Sequence, residues 1–378
     1  MQLQFLILIV LAVTATIFSI VTSIAMVVRK ALELGRSRAH ARLYQIYSSQ
    51  VAEFLLIELP ALENQPRASD AFRQYESLLS PVKQRLEQMN PSRRRFHRSV
   101  LRSVLIDMTQ DLTGESAGRL VYFFYSLGFV EEEIQLLQSG RWWIRAQAAR
   151  HAGLMRARKS ITALTAALED NHPDVRHQAM QALIVLVGVD ALSTILRLSR
   201  NISQWTAIEL SVIVAGFKEE AVPHLIGALE SRDQSVVLFA IEMLAEVGFV
   251  TAVDPLMNLI RTSRDVKIQA CAASALGRLG DERAKTLLTG LLSNRWAPIR
   301  LKSLEALGKT GGPDVVKLLT PYLETADAQE KLTAARALAT TGVKGLKVLQ
   351  EYEKQHMDEK ADLVRQVLEE FGLEPTHG

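Results

Sequence analysis

The sequence has few of the features that usually identify a secreted or nucleic-acid-binding protein. Its 378 residues include one cysteine, Cys271, so an intramolecular disulfide framework is excluded and a reducing compartment is indicated. The net charge of +3 is too small to indicate a nucleic-acid partner. Aromatic residues make up only 6% of the chain and hydrophobic residues 48%, which suits a mostly helical protein with a sizeable core. Cys271 lies among alanines, so we interpret it as a small packed residue rather than a reactive thiol.

Catalytic and cofactor-binding motifs are also missing. The chain contains no GxxxxGK[ST], GxGxxG, HExxH, GxSxG or CxxC sequence. His172 and His177 are five residues apart, which does not place them on one helix face, and nothing nearby completes a metal site. Three consecutive acids, Glu131 to Glu133, are interpreted as favouring a helix dipole. We therefore expect no catalytic residues, no cofactor, no metal and no small-molecule substrate.

A repeat dominates residues 142 to 357, with a period of about 31 residues. Position zero of successive blocks is Ile144, Val175, Val236, Ile268, Ile299 and Glu330. Val175 and Val236 are 61 residues apart, about twice the period, so a degenerate block lies between them near Trp205. About seven units therefore fit. Four positions later each block has a small residue, namely Ala148, Ala179, Ala240, Ala272, Ser303 and Ala334. Eight positions later it usually has leucine, at Leu183, Leu244, Leu276, Leu307 and Leu338. This spacing predicts one packed helix face in each unit.

A second helical run accompanies each block, so the prediction is a stack of helical hairpins. Glycines close the first helices as C-terminal caps would, at Gly188, Gly248, Gly280, Gly311 and Gly342. Units of this length cannot bury their apolar faces alone and must stack on their neighbours.

The blocks DVRHQAMQAL and IQACAASALGRLGDERAKTLLTGLL resemble HEAT repeats of the short bacterial type, first associated with phycobilisome lyases. This resemblance implies an all-α fold, a right-handed α-solenoid of HEAT-type hairpins, and a surface that serves mainly for binding. Two other classes stay open with it. One is a bilin lyase-like enzyme, and the other is a HEAT solenoid that binds nucleic acid, as HEAT-like DNA glycosylases do.

The N-terminal stretch is long and apolar enough to cross a bilayer as one helix. Residues 1 to 28 contain no charged side chain, and Leu3 to Val28 includes 16 Leu, Ile, Val or Phe residues. A basic cluster follows, consisting of Arg29, Lys30, Arg36, Arg38 and Arg42. By the positive-inside rule, the N-terminus lies outside and the solenoid lies in the cytoplasm, at the inner membrane of a bacterium. The same cluster could also contact anionic headgroups.

Small residues form a stripe along this segment, at Ala12, Ala15, Thr16, Ser19 and Ser23. Such small-xxx-small spacing lets two helices approach closely in lipid, so we predict docking on another transmembrane helix. Hydroxyl groups that bond to their own backbone are the alternative interpretation.

The expected domain organisation follows. A transmembrane helix over 1–28 leads to a cytoplasmic helical stalk over 29–66 and an irregular helical N-cap region over 67–141. About seven repeats occupy 142–357, and a capping helix with a short tail occupies 358–378. Pro81 and Pro91 are predicted helix boundaries in the N-cap region.

One more feature concerns the middle of the repeat array. In most blocks the residues one and three positions after position zero are polar. In the block near Trp205 they are Thr206 and Ile208, and in the next block they are Val237 and Phe239. An exposed apolar patch here would be a protein interface. The sequence thus favours a non-catalytic, single-pass membrane scaffold or accessory subunit. Its expected partner is a membrane-embedded protein, for instance a glycosyltransferase complex.

Overall fold

The computed structural model describes residues 2–57, 70–325, 327–356 and 359–372, with residues 2–17, 70–72 and 359–360 described by their backbone alone. Every regular element in these ranges is a helix, and no strand occurs among them. The chain divides into two units, one from Met1 to Ala163 and one from Leu164 to Gly378.

The first unit is built around one long helix and a small bundle. Its helices are α1 Gln2–Leu55, α2 Asp70–Glu87, α3 Pro91–Asp111, α4 Gly114–Ser126, α5 Phe129–Leu136, α6 Trp142–Leu154 and the start of α7, Ile161–Ala167. The helix α1 spans 54 residues without a break, which corresponds to about 80 Å at 1.5 Å per residue. Its C-terminal half packs on α3, where the Tyr47 hydroxyl and His97 Nδ1 are 2.8 Å apart.

Two prolines of the first unit behave differently. Asn90 caps α3 by accepting a hydrogen bond from the Arg93 amide at 2.9 Å, and Pro91 occupies the first turn, where no amide hydrogen is needed. Pro81 instead lies inside α2, so the predicted boundary at Pro81 is wrong. Tyr75 and Leu79 are buried on one face of α2, and this face favours a continuous helix in spite of the proline.

The second unit contains the regular repeats as alternating first and second helices. The first helices are α8 Pro173–Val187, α10 Gln204–Phe217, α12 Gln234–Val247, α14 Val266–Leu279, α16 Ala297–Thr310 and α18 Ala328–Thr340. The second helices are α9 Ala191–Leu198, α11 Val222–Ala228, α13 Val253–Thr262, α15 Lys285–Leu291, α17 Pro313–Leu319 and α19 Val343–Gln355, followed by α20 Glu359–Glu370. Short 3-10 turns precede several second helices, for example Glu282–Ala284.

Local capping explains where these helices begin and end. Asp233, Asp265 and Asp327 accept hydrogen bonds from backbone amides at the starts of α12, α14 and α18. Four of the five glycines predicted as C-terminal caps are confirmed, namely Gly188, Gly248, Gly280 and Gly311, all with positive φ. At the end of α18 the cap is Thr341, and Gly342 instead precedes the first residue of α19.

The core of the second unit follows the predicted positions. The small residues four positions into each block, from Ala179 to Ala334, are fully buried, and so are the leucines at Leu244, Leu276, Leu307 and Leu338. In the last block Glu330 replaces the aliphatic residue at position zero. Its carboxylate is buried and accepts a hydrogen bond from Arg300 Nε at 2.6 Å. The pairing explains how this position tolerates a charge.

Candidate partner-binding surface

The helix α10 presents an apolar face to solvent. Ser203 caps it, with its hydroxyl accepting a hydrogen bond from the Thr206 amide at 3.2 Å. Trp205, Ile208 and Val212 follow at helical spacing and are 70%, 57% and 68% exposed. Only Leu210 and Val214 of this helix are buried. An exposed tryptophan with two aliphatic neighbours is the kind of side-chain set that anchors protein interfaces.

A cleft lies between α8 and α10, next to this face. Its volume is about 620 Å³, and its lining includes Met180, Trp205 and Thr206. His177 Nδ1 on α8 and Glu209 Oε2 on α10 lie 2.8 Å apart across it. This polar pair connects two first helices that pack far less closely than α14 and α16 do. The degenerate sequence block therefore corresponds to a local opening in the packing of the second unit.

Not all predicted interface residues reach this surface. Val237 and Phe239 are only 2% and 7% exposed, so the expectation that they belong to an exposed patch is wrong. Their helix, α12, packs against α10, α11 and α14, and these neighbours cover the positions that the repeat pattern left to solvent. Thr206 is half-buried at the start of α10, while Ile208 is exposed.

Trp205 and Val212 complete the exposed face but were not among the predicted interface residues. A signal for them existed, because residues three before and four after Ile208 share its side of a helix. We refer to Trp205, Ile208 and Val212 as the α10 face.

The described part of the N-terminal segment also exposes large apolar side chains. Between residues 18 and 28 the exposed ones are Phe18, Ile20, Val21, Ile24, Met26, Val27 and Val28. They surround the helix rather than following one stripe, a pattern typical of a helix surrounded by protein or lipid. All five residues of the basic cluster are exposed, and Arg29 Nε donates to Glu33 at 3.0 Å.

The small-residue stripe is described only in its second half. Ser19 and Ser23 are exposed, while the side chains of Ala12, Ala15 and Thr16 lie outside the described residues. Nearby, the Thr22 hydroxyl bonds to the backbone oxygens of Phe18 and Ser19, each at 2.9 Å. The docking prediction for this stripe stays a prediction.

The residues considered for chemistry are separated in the structure. Within the described ranges, no group of three or more His, Cys, Asp or Glu side chains could hold a metal ion. His172 accepts a hydrogen bond from the Asp174 amide at the start of α8, whereas His177 faces Glu209. Burial, and secondarily the Glu242 carboxylate, raises the pKa of the half-buried Cys271 thiol to about 11. A thiol with such a pKa is a poor nucleophile at neutral pH.

Among the described residues, one stretch is long and apolar enough to span a membrane, Pro173–Leu198. Half of it is buried inside the protein, where it forms α8, a turn and α9. A core segment of a repeat unit meets the same criterion, so this stretch by itself is weak evidence for a membrane location.

The hairpins can be assigned to a class. Residues 130–208 and 222–306 match a family model described as HEAT repeats, and the chain therefore contains HEAT repeats over these residues. In the second unit the match runs from α8 into α16, with a gap between residues 208 and 222 that falls within α10 and the turn after it.

Solved structures that are similar to this chain include the following three. An engineered protein is 18% identical over 76% of this chain and 87% of that chain, with a TM-score of 0.30. The complex of CpcE and CpcF of phycocyanin lyase from Nostoc sp. PCC7120 is 21% identical over 64% and 94%, with a TM-score of 0.28. Kap121p is 10% identical over 86% and 41%, with a TM-score of 0.46. No curated protein sequence matches the chain.

Proposed function

We propose that this protein is a non-catalytic scaffold, held at a membrane by its N-terminal helix, that binds a protein partner through its HEAT repeats. The α10 face is the observation that carries the proposal. Trp205, Ile208 and Val212 expose a large apolar area on one helix of an otherwise well-packed repeat unit. Burying one side chain of this size typically contributes about 1.5–3 kcal/mol, so three adjacent ones supply a substantial share of an interface.

The membrane part of the proposal is supported by composition and exposure. No charged residue interrupts the first 28 positions, and the described side chains from Phe18 to Val28 are mostly exposed and apolar. In water this surface would be unfavourable, whereas in a bilayer it is matched to its surroundings. The basic cluster from Arg29 to Arg42 supports an orientation with the repeats in the cytoplasm.

The partner proposed is a membrane-embedded protein, because the proposed anchor would hold the chain at a membrane. An enzyme complex that makes polysaccharides, with a membrane glycosyltransferase at its centre, is one such partner. Energy for binding would come from several repeats together rather than from one enclosed pocket, and the protein itself would transform no substrate.

The test compares two variants of the full chain purified from its own membranes in mild detergent. In the first variant, Ile208→Asp and Val212→Asp place two carboxylates on the α10 face. The matched control, Val250→Asp and Val343→Asp, changes two valines that are equally exposed elsewhere in the second unit. Quantitative mass spectrometry measures the proteins that co-purify with the wild type and with each variant.

We expect the α10 variant to lose a specific protein by more than about tenfold while the control retains it, because two desolvated carboxylates cost several kcal/mol in an apolar contact. Equal recovery of the partner with the wild type, the α10 variant and the control would contradict the role of the α10 face. A thermal unfolding curve for each variant checks that the fold is unchanged.

A further inference from the structure

A row of exposed arginines occupies the same turn in four successive repeats. The residues are Arg200, Arg232, Arg264 and Arg295, in steps of 32, 32 and 31 residues. Each lies in the turn that joins the second helix of one hairpin to the first helix of the next. We refer to these four residues as the arginine row.

The turns that carry the row share their geometry. In three of them the residue before the arginine accepts a hydrogen bond from the backbone amide of the residue after it. Ser231 Oγ accepts from Asp233 at 3.2 Å, and Ser263 Oγ accepts from Asp265 at 3.2 Å. Asn294 Oδ1 accepts from Trp296 at 3.0 Å. The same turn thus holds Arg232, Arg264 and Arg295 at equivalent places, two residues before the first residue of the next helix, whereas Arg200 lies four residues before the first residue of α10.

A surface groove adjoins the first two arginines of the row. It lies between α9 and α11, has a volume of about 720 Å³, and is lined by Arg197, Arg200 and Arg232 among others. Open space remains above Gly227 in the groove wall, where an added Cβ would meet no atom within 4 Å. The groove therefore has room for a chain, with three guanidinium groups around it.

The guanidinium groups of this region are largely available. Within the described part of the chain, Arg197, Arg232 and Arg264 have no hydrogen bond or ion pair from their side chains. Arg200 reaches only Glu169, at 3.7 Å, with most of its side chain exposed. Arg295 lies over the Trp296 ring, 4.9 Å from its centroid. Each group can still form paired hydrogen bonds with a carboxylate.

Only some of the nearby carboxylate oxygens are available to pair with these guanidinium groups. Asp233 uses both carboxylate oxygens locally. Its Oδ1 accepts from the Ser235 amide at 2.9 Å, and its Oδ2 accepts from the Asn201 amide at 3.0 Å. Glu230, the other acid in the groove lining, is exposed. The groove lining thus carries three guanidinium groups and two carboxylates, and among the described residues Arg197 and Arg232 have no ion pair.

We propose that the groove and the arginine row bind an extended, acidic polypeptide segment of another protein. Closely packed helices are spaced about 8–10 Å apart, so from Arg232 to Arg295 the row advances by roughly this distance in each repeat. An extended chain advances about 3.3 Å per residue. Acidic side chains at every third position of the segment would therefore meet successive arginines. This site goes beyond the proposed scaffold function, and it needs neither the α10 face nor the membrane helix.

A polypeptide fits these observations better than a membrane surface or a nucleic acid does. A concave groove accepts a single chain, whereas a flat bilayer would touch only its rim. A nucleic acid carries a phosphate at every nucleotide and would meet Glu230 and Asp233, whereas a peptide can carry neutral residues at those places.

The experiment measures peptide binding to the full chain in detergent by fluorescence anisotropy at low salt. The probe is a labelled peptide of about 13 residues with glutamate at every third position and serine or glycine between, long enough to cross four repeats when extended. The site variant is Arg197→Glu with Arg232→Glu. The matched control, Lys317→Glu with Lys347→Glu, makes the same change in net charge at exposed positions away from the groove.

We expect the wild type and the lysine control to bind the peptide alike and the arginine variant to bind it more than about tenfold more weakly. A peptide with glutamine in place of glutamate should not bind. Equal loss in both variants would reduce the effect to overall charge and overturn the proposal. Stronger binding of a single-stranded oligonucleotide, or of phosphatidylglycerol added to the full chain in detergent, would also overturn it. Persistence of peptide binding in the Ile208→Asp, Val212→Asp variant separates this site from the α10 face.

Discussion

At the scale of single residues, burial determines how much a charged side chain contributes to stability. Glu131, Glu132 and Glu133 are consecutive, and the sequence treats them alike. In the structure Glu133 is fully buried, with its Oε1 3.1 Å from His151 Nδ1 and 3.6 Å from Arg102 Nη1. Glu131 instead forms an exposed pair with Lys159 at 2.8 Å. The three glutamates could not be distinguished from the sequence, because their burial depends on how α5 packs against α6 and not on local spacing.

We predict that Glu133→Ala lowers the free energy of unfolding of the first unit by about 3 kcal/mol, because it leaves Arg102 and His151 facing a buried site without their carboxylate. The matched change Glu131→Ala should cost about 0.5 kcal/mol, as expected for a solvated pair. Urea unfolding followed by circular dichroism measures both. Similar values for the two variants would show that the buried cluster has no special role.

The helix caps of the second unit predict a dependence of stability on pH. Hydrogen bonds from the Ser235 hydroxyl and then from the Asn201 amide hold the pKa of Asp233 below its ordinary value. A carboxylate whose pKa is depressed by folding stabilises the protein above its unfolded pKa of about 3.9, and this contribution is lost as the pH falls through the folded pKa.

Asp233→Asn keeps a cap acceptor but removes the titrating charge. We expect the variant to be less stable than wild type at pH 7 by up to about 1 kcal/mol, with the difference shrinking as the pH is lowered towards 3. Urea unfolding at the two pH values measures this difference. A difference that stays constant with pH would show that the charge of Asp233 does not contribute.

At the scale of helices, the repeat pattern predicted the packing of first helices well and their exposure poorly. Small residues and leucines at fixed spacing define a face, and the buried positions from Ala179 to Leu338 agree with it. Exposure of the remaining positions depends on the neighbours in space. Val237 and Phe239 are covered by the helices around α12, whereas Ile208, the counterpart of Phe239 in α10, is exposed beside a cleft. The arginine row was missed for a related reason, because it lies in the turns and not on the helices that the pattern compares.

Glycine inside a first helix gives a prediction that separates packing from helix propensity. A Cβ added at Gly308 would lie 2.6 Å from both the Cα and the carbonyl oxygen of Ala337, on the adjacent helix α18. We expect Gly308→Ala to destabilise the protein by about 1–3 kcal/mol, since α16 and α18 must move apart.

The control for this change is Gly118→Ala in α4, where an added Cβ meets no atom within 4 Å. Without a steric conflict, alanine should stabilise this helix by about 0.5–1 kcal/mol. Thermal unfolding of the two variants should therefore give opposite signs. A stabilising effect at both positions would mean that α16 and α18 are not in close contact.

At the scale of the whole molecule, the proposed anchor is tested by removing it. We expect the full chain to remain in the membrane pellet after alkaline carbonate extraction, and a chain starting at Arg29 to be recovered mostly in the supernatant. About 26 predominantly apolar residues are enough to cross the hydrocarbon core, so no other segment is needed. Recovery of the full chain in the supernatant would contradict the anchor, and retention of the shortened chain would point to its partners or to Pro173–Leu198.

The helix α1 has one more mechanical consequence. It runs from Gln2 to Leu55 without a break, and Val51 and Phe54 near its end belong to the buried core of the first unit. Because no break separates its two ends, we expect a tilt or rotation of its first turns to move the helices that pack on its C-terminal part. The helices that pack on the C-terminal part of α1 would then be held at a fixed distance from the membrane around its N-terminal part. A partner that contacts these helices would have to extend over the same distance from the membrane.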